Sequence, residues 1–235
     1  MGVLSAAGVV AGYSSADMVL RGLDIEVGAG EIVAIIGPNG AGKSTFLKAV
    51  AGLVQPSQGT IAVLGHSVVG LRPREITRRG VAFVPQEANV FGMLTVRENL
   101  EMGGYVDPAG TRTRVPRLLE RFPMLAEKRH QAARTLSGGQ RQVLAMAMAL
   151  MVEPELLLLD EPSAGLSPIA AGDLFATIRE INGEGVSIAM VEQNALEALQ
   201  IAHRAYILVD GRTHRSGTAR ELARDPEVKR IFLGL

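Results

Sequence analysis

The run GPNGAGKST at 37–45 combines three glycines with a lysine and two hydroxyls. It fits the spacing G-x-x-x-x-G-K-[ST] of a phosphate cradle. Gly37, Gly40 and Gly42 admit backbone conformations closed to other residues, so N–H groups of the loop, through Pro38, Asn39 and Ala41 to Thr45, can wrap a phosphate chain. Lys43 supplies a point charge for the β- and γ-phosphates, and Ser44 offers a hydroxyl to Mg²⁺. At ordinary residue frequencies this spacing arises by accident in roughly one chain in a hundred of such length. A second stretch, LLLLDEP at 156–162, ends an aliphatic run on two carboxylates. Asp160 at the carboxyl end of a buried strand needs a partner or a metal ion, and holding Mg²⁺ beside Ser44 meets that need. Glu161, one residue on, is placed to orient and polarise a water attacking the γ-phosphate.

A third stretch, TLSGGQRQVLAMAMAL at 135–150, opens an apolar helix on Ser137, Gly138 and Gly139. Helix openings bind anions because their first N–H groups are free and the dipole adds positive charge. One chain thus carries two phosphate-seeking corners.

The elements that must hold these residues are legible from pattern. EIVAIIG (31–37) reads as a buried strand feeding the cradle, and KSTFLKAVAGL (43–53) as the helix after it. VVAGY (9–13), LDIEV (23–27), GTIAVLG and GVAFVPQ (80–86) read as short strands bounded by glycine and proline. From about residue 95 the spacing becomes helical and more charged. ELLLLDEP (155–162), VSIAMVEQ (186–193) and RAYILVDGR (204–212) then resume the strand rhythm. The expectation is one α/β domain over 1–235, with a nucleotide-binding core from 1–86 and 155–235 and a helical insertion over 87–154.

Composition narrows the class. Of 235 residues, 47% are hydrophobic but only 4% aromatic, which suits an aliphatic α/β core. Lys+Arg and Asp+Glu balance at 24 each, which argues against a nucleic-acid partner. There is no cysteine, and His66, His130, His203 and His214 lack metal-ligand spacing. The run VLAMAMALMV is about half of what a bilayer crossing needs. The opening segment lacks a basic n-region, and Ala6 occupies the position where a myristoylation signal needs Ser or Thr, so the chain is expected to be cytoplasmic.

Taken in order, the cradle with Lys43, Gln86 after a strand, LSGGQ at 136–140, LLLLDEP and SAGLSP (163–168) resemble the motifs of ABC transporter nucleotide-binding subunits. They look like the Walker A, Q-loop, signature, Walker B and D-loop segments, and the likeness covers essentially the whole chain. NLEMGGY, RFPMLAEKR, DEPSAGLSP, VEQNALEAL and the closing FLGL are similar to the LivF-type ATPases of branched-chain amino acid importers.

The resemblance implies a RecA-like P-loop core of mostly parallel sheet, an antiparallel N-terminal β part and an inserted helical subdomain. It implies ATP and Mg²⁺, with Tyr13 stacking on adenine, Gln86 reaching Mg²⁺ or the attacking water, and Ser137, Gly138, Gly139 and Gln140 contacting a facing subunit's nucleotide. Catalytic roles would fall to Glu161, Gln86 and the residue at the switch-histidine position, here Gln193. This last is a departure: an amide donates a hydrogen bond but carries no imidazolium charge. The implied partners are integral-membrane permease subunits, a second copy or a similar ATPase, and indirectly a periplasmic or extracellular solute-binding protein. The implied location is the cytoplasmic face of the cell membrane. Val90, Phe91 and Met93, in the segment after Gln86, are candidates for docking a permease helix. An ATPase serving urea or short amides is the nearest alternative; a soluble ABC ATPase without a transport role stands further off.

Overall fold

A computed structural model of the chain describes residues 2–14 and 17–228, Glu227 in its backbone only, so the closing FLGL (232–235) lies outside the described residues. β1 (Gly2–Ser14) and β2 (Asp17–Gly28) form an antiparallel ribbon, and β3 (Ile32–Ile36) leads through the cradle into α1 (Lys43–Val50). Next come β4 (Pro56–Val63), β5 (His66–Ser67), α2 (Pro73–Thr77) and β6 (Val81–Val84). The interval before β7 (Leu156–Asp160) holds α3 (Val96–Gly103), α4 (Pro108–Arg121), α5 (Pro123–Glu127), a 3₁₀ turn (Ala133–Thr135) and α6 (Gly138–Leu150). The chain continues with α7 (Pro168–Gly183), β8 (Ser187–Val191), α8 (Ala195–Ile201), β9 (Arg204–Val209) and β10 (Arg212–Thr218). α9 (Ala219–Arg224) and α10 (Pro226–Val228) end the described part.

Two sheets result. One is antiparallel, in the order β2-β1-β4-β5; the other has the order β10-β9-β3-β8-β7-β6 and is parallel except for β10 at its edge. β3, β7 and β8 are buried at every position, which is why their sequences run aliphatic without alternation. Their two faces nevertheless serve different cores. Ile32, Ala34, Leu157, Leu159, Ile188 and Met190 pack with the helices between β6 and β7 and with α7. Val33, Ile35, Leu156, Leu158, Ala189 and Val191 pack with α1 and the antiparallel sheet. The sheet is thus the shared wall between the cradle's side and the helical side.

The N-terminal ribbon differs from the expected short strands 9–13 and 23–27. β1 and β2 run 13 and 12 residues, with register shifts between Ala6 and Val9 and again near Gly12. These bulges break the two-residue alternation, and with the small residues of GVLSAAG they hide a long strand from its sequence. Among the described residues, no helix is long and apolar enough to cross a membrane.

Candidate functional site

Parallel strands deliver side chains to one edge of their sheet, and here four strand ends converge there. β3 ends at the cradle, β7 at Asp160 and Glu161, β8 at Glu192 and Gln193, and β6 two residues before Gln86. Ligands of open α/β sheets gather outside these carboxyl ends.

The cradle is held from below and from the side. Ala41 N–H donates to Pro38 O at 3.2 Å, and Gly211 N–H, in the β9–β10 turn, donates to Ala41 O at 3.1 Å. Gly42 caps α1 with φ +96°, and a Cβ there would approach Leu20 Cδ2 to 2.7 Å, so glycine is required on both counts. Pro38, Asn39 and Gly40 lie exposed on the loop's outer side, Gly37 and Ser44 are half-buried, and Ala41 and Thr45 are buried under it.

Lys43 is 4% exposed, and its Nζ donates to Gly37 O at 2.9 Å and Pro38 O at 3.2 Å. Burial pulls this ammonium below the ordinary lysine range, while Glu161, Asp160 and Glu192 pull it the other way. It has no ion pair among the described residues and donates only to the loop's own carbonyls. A buried cation inside a ring of N–H donors fits a phosphate.

Ser44 Oγ donates to Asp160 Oδ1 at 2.7 Å, across 116 residues of sequence. Burial pushes the Asp160 carboxyl upward, opposed by the Ser44 hydrogen bond and by Lys48 and Lys43. Hydroxyl and carboxylate oxygens side by side are the hard donors that Mg²⁺ takes. Among the described residues, no group of three or more His, Cys, Asp or Glu could hold a metal ion. The donor set therefore fits Mg²⁺ bound together with phosphate oxygens rather than in an all-protein cage.

Glu161 adopts φ +46°, a left-handed conformation rare for a side-chain-bearing residue, and its N–H donates to Val191 O at 2.9 Å. Its Oε2 accepts from Gln86 Nε2 at 3.0 Å. Structure thus joins two residues 75 positions apart that the sequence proposed separately. Gln193 is exposed at the same edge, one residue past Glu192. Tyr13, 59% exposed at the end of β1, stands beside α1, with Lys48 Nζ 5.9 Å from its ring centre. Its outer face is open for stacking.

The second corner is built differently. Ser137 caps α6: its Oγ accepts from Gln140 N–H at 3.3 Å, and its own N–H donates to Gln140 Oε1 at 3.1 Å. The Gln140 side chain therefore closes a capping box. The N–H groups of Gly138 and Gly139 have no acceptor among the described residues. A Cβ at Gly138 would lie 3.1 Å from Leu166 Cδ2, and one at Gly139 3.2 Å from Ala170 Cβ, so the glycines also seat the tip against the first turn of α7 and the loop before it. Arg141 donates to Leu136 O, and Gln142 accepts from Asn89 Nδ2 at 3.0 Å, both structural ties. Among the described residues, no hydrogen bond or ion pair joins 37–45 to 137–140.

Of the three candidate docking residues, only Phe91 lines the groove of about 470 Å³ between the two sides, with Leu53, Phe83, Met102, Tyr105 and Met148. Val90 packs on the core instead, and Met93 is exposed outside the groove. Sequence reasoning missed Glu192, which is 1% exposed, and its partner Ser163. The one available signal was a carboxylate ending the aliphatic run SIAMV.

Comparison with known proteins extends this geometry. The family model described as ABC transporter matches residues 20–164. The chain is 44% identical to the high-affinity branched-chain amino acid transport ATP-binding protein BraG of Pseudomonas aeruginosa, over 96% of this chain and 97% of that one. It is 40% identical to the probable branched-chain amino acid transport ATP-binding protein LivF of Archaeoglobus fulgidus, over 96% of each. A crystal structure of the ADP conformation of an ATP-binding cassette from an ABC transporter matches over 100% of both chains, with TM-score 0.88 and 27% identity. The chain belongs to the ABC transporter family, as one of its ATPase cassettes.

Proposed function

We propose that this chain is the ATP-hydrolysing subunit of an importer for branched-chain or related amino acids. The observation that carries the reading is the end-to-end likeness to two proteins named for branched-chain amino acid transport, over a chain whose cradle, Asp160 and Glu161 share one sheet edge. Lys43 and the loop N–H groups bind the β- and γ-phosphates of ATP, and Tyr13 stacks on its adenine. Ser44 and Asp160 would hold Mg²⁺, with Gln86 beside them; the ion would neutralise charge developing on the transferred phosphoryl group. Glu161 takes a proton from the attacking water, which Gln86 helps to orient. Gln193 donates a hydrogen bond toward the γ-phosphate.

The residues 87–154 act as an inserted unit that carries the Ser137–Gln140 tip to a facing subunit's ATP. Nucleotide touches both subunits only in the closed pair, so it stabilises that pair, and hydrolysis removes the contacts. The facing subunit is a second copy or a similar ATPase. The groove lined by Phe91, Tyr105 and Met102 receives a cytoplasmic helix of the permease, which holds the subunit on the inner face of the membrane.

The test is reconstitution with the permease and solute receptor in proteoliposomes. ATP-dependent uptake of labelled leucine, isoleucine or valine is expected, lost with Lys43→Ala. Hydrolysis without uptake of any of the three would reject the solute assignment.

A further inference from the structure

Behind Glu161 and Gln193 lies a third polar residue, Glu192, buried just past β8. Both of its carboxylate oxygens are engaged by one residue: Ser163 N–H donates to Oε1 and Ser163 Oγ to Oε2, each at 2.9 Å. Ser163 lies two positions after Glu161, on the turn where Ala164 N–H donates back to Glu161 O at 3.1 Å. Glu161 itself is pinned to the neighbouring strand through Val191 O, the residue just before Glu192. The loop bearing the base is therefore tied to β8 at two points, on either side of Pro162.

We propose that Glu192 is a positioning residue for ATP hydrolysis, whose carboxylate clamps Ser163 and so fixes where Glu161 and Gln193 present their side chains. The proposal rests on the roles given above to Glu161 and Gln193.

Two physical considerations support it. A left-handed Glu161 is strained and persists only where its surroundings over-determine it, and the clamp is one of those constraints, beside the bonds to Val191, Ala164 and Gln86. A buried carboxylate is also a poor choice for packing alone, since burial pushes Glu192 up to about 7 against the hydrogen bonds of Ser163 and the Gln193 backbone. An acceptor with two equivalent oxygens is what a serine presenting N–H and O–H together requires.

The test compares Glu192→Gln, Ser163→Ala and the double variant of the full chain, reading steady-state hydrolysis and thermal melting. Expected is a fall in kcat of about tenfold for Glu192→Gln with KM for ATP changed less than about twofold, because misplacing a base affects the transition state and not nucleotide binding. Ser163→Ala, which keeps a half-buried loop intact, lowers kcat in the same direction, and the double variant is no slower than Glu192→Gln. Should Glu192→Gln fail to fold, Ser163→Ala decides alone. Unchanged kcat, a KM rising in step with the loss, or additive losses in the pair would overturn the clamp. A wild-type chain without turnover would overturn the clamp and the ATPase reading together.

Discussion

The two helix tips that can meet phosphate differ in what surrounds them. At the start of α1 the polar groups are buried or half-buried and already engaged: Lys43 on its own loop, Ser44 on Asp160, Glu161 on Gln86. At the start of α6 the side chains only cap their own helix, and the N–H groups of Gly138 and Gly139 face away unpaired among the described residues. On the proposed function, the first corner is pre-organised for nucleotide and the second is half a site. Preorganised donors bind with little reorganisation, whereas an open tip gains a partner only when another surface brings the anion to it. That asymmetry is what a nucleotide shared between two subunits needs.

The largest effect that would break the comparison is at Lys43. Lys43→Ala is expected to lower ATP hydrolysis by at least about a hundredfold, since it removes the charge aimed at the phosphates; near-normal turnover would show that the cradle is not the nucleotide site. Glu161→Gln is expected to cost about 10²–10⁴-fold in kcat while nucleotide still binds, so ATP-bound pairs accumulate in sedimentation with Mg²⁺. Loss of ATP binding in that variant would assign Glu161 to the first corner's framework instead.

Proton linkage sharpens the comparison on the stability side. Burial holds the Glu192 carboxyl at about 7 against an ordinary 4.5. Between those values the folded chain keeps a proton that the unfolded chain has released, so stability falls as pH rises through the window, by up to about 3 kcal/mol. Denaturant melts from pH 4.5 to 8 should show that decline, flattened in Glu192→Gln; parallel curves for the two proteins would contradict it. At the second corner, Ser137→Ala is expected to cost about 1 kcal/mol of stability through the lost cap. It should weaken ATP-driven pairing and leave nucleotide binding to the lone subunit unchanged, which equilibrium binding would check. The smallest effect is expected at Gln193: replacement by His should change turnover by less than about fivefold, because either side chain donates one hydrogen bond. Complete loss in a turnover assay would assign the amide a task that imidazole cannot perform.

What the sequence disclosed follows the range of the interactions. The cradle was legible because its chemistry lies within nine consecutive residues, GPNGAGKST, and α6 because Ser137 precedes an unbroken apolar run. β3, β7 and β8 stood out as aliphatic runs, being covered on both faces. The full extent of β1 and β2 did not, because bulges break their alternation. The clamp escaped entirely: Glu192 and Ser163 are 29 positions apart, and nothing local to either marks the other. Gln140 shows the converse: its S-x-x-Q spacing from Ser137 is a capping-box signature open to reading. The resemblance assigns it to a facing nucleotide, whereas the structure closes its amide on Ser137.

The central claim is that each nucleotide is held between one chain's cradle and a facing chain's α6 tip. Its most direct measurement is a structure of the Glu161→Gln subunit with ATP and Mg²⁺ in the assembled transporter. The account predicts the terminal phosphate within hydrogen-bonding reach of Lys43 on one side and, on the other, of the serine and glycine N–H groups that open the facing subunit's signature helix. A closed assembly in which that phosphate meets only its own chain would contradict it.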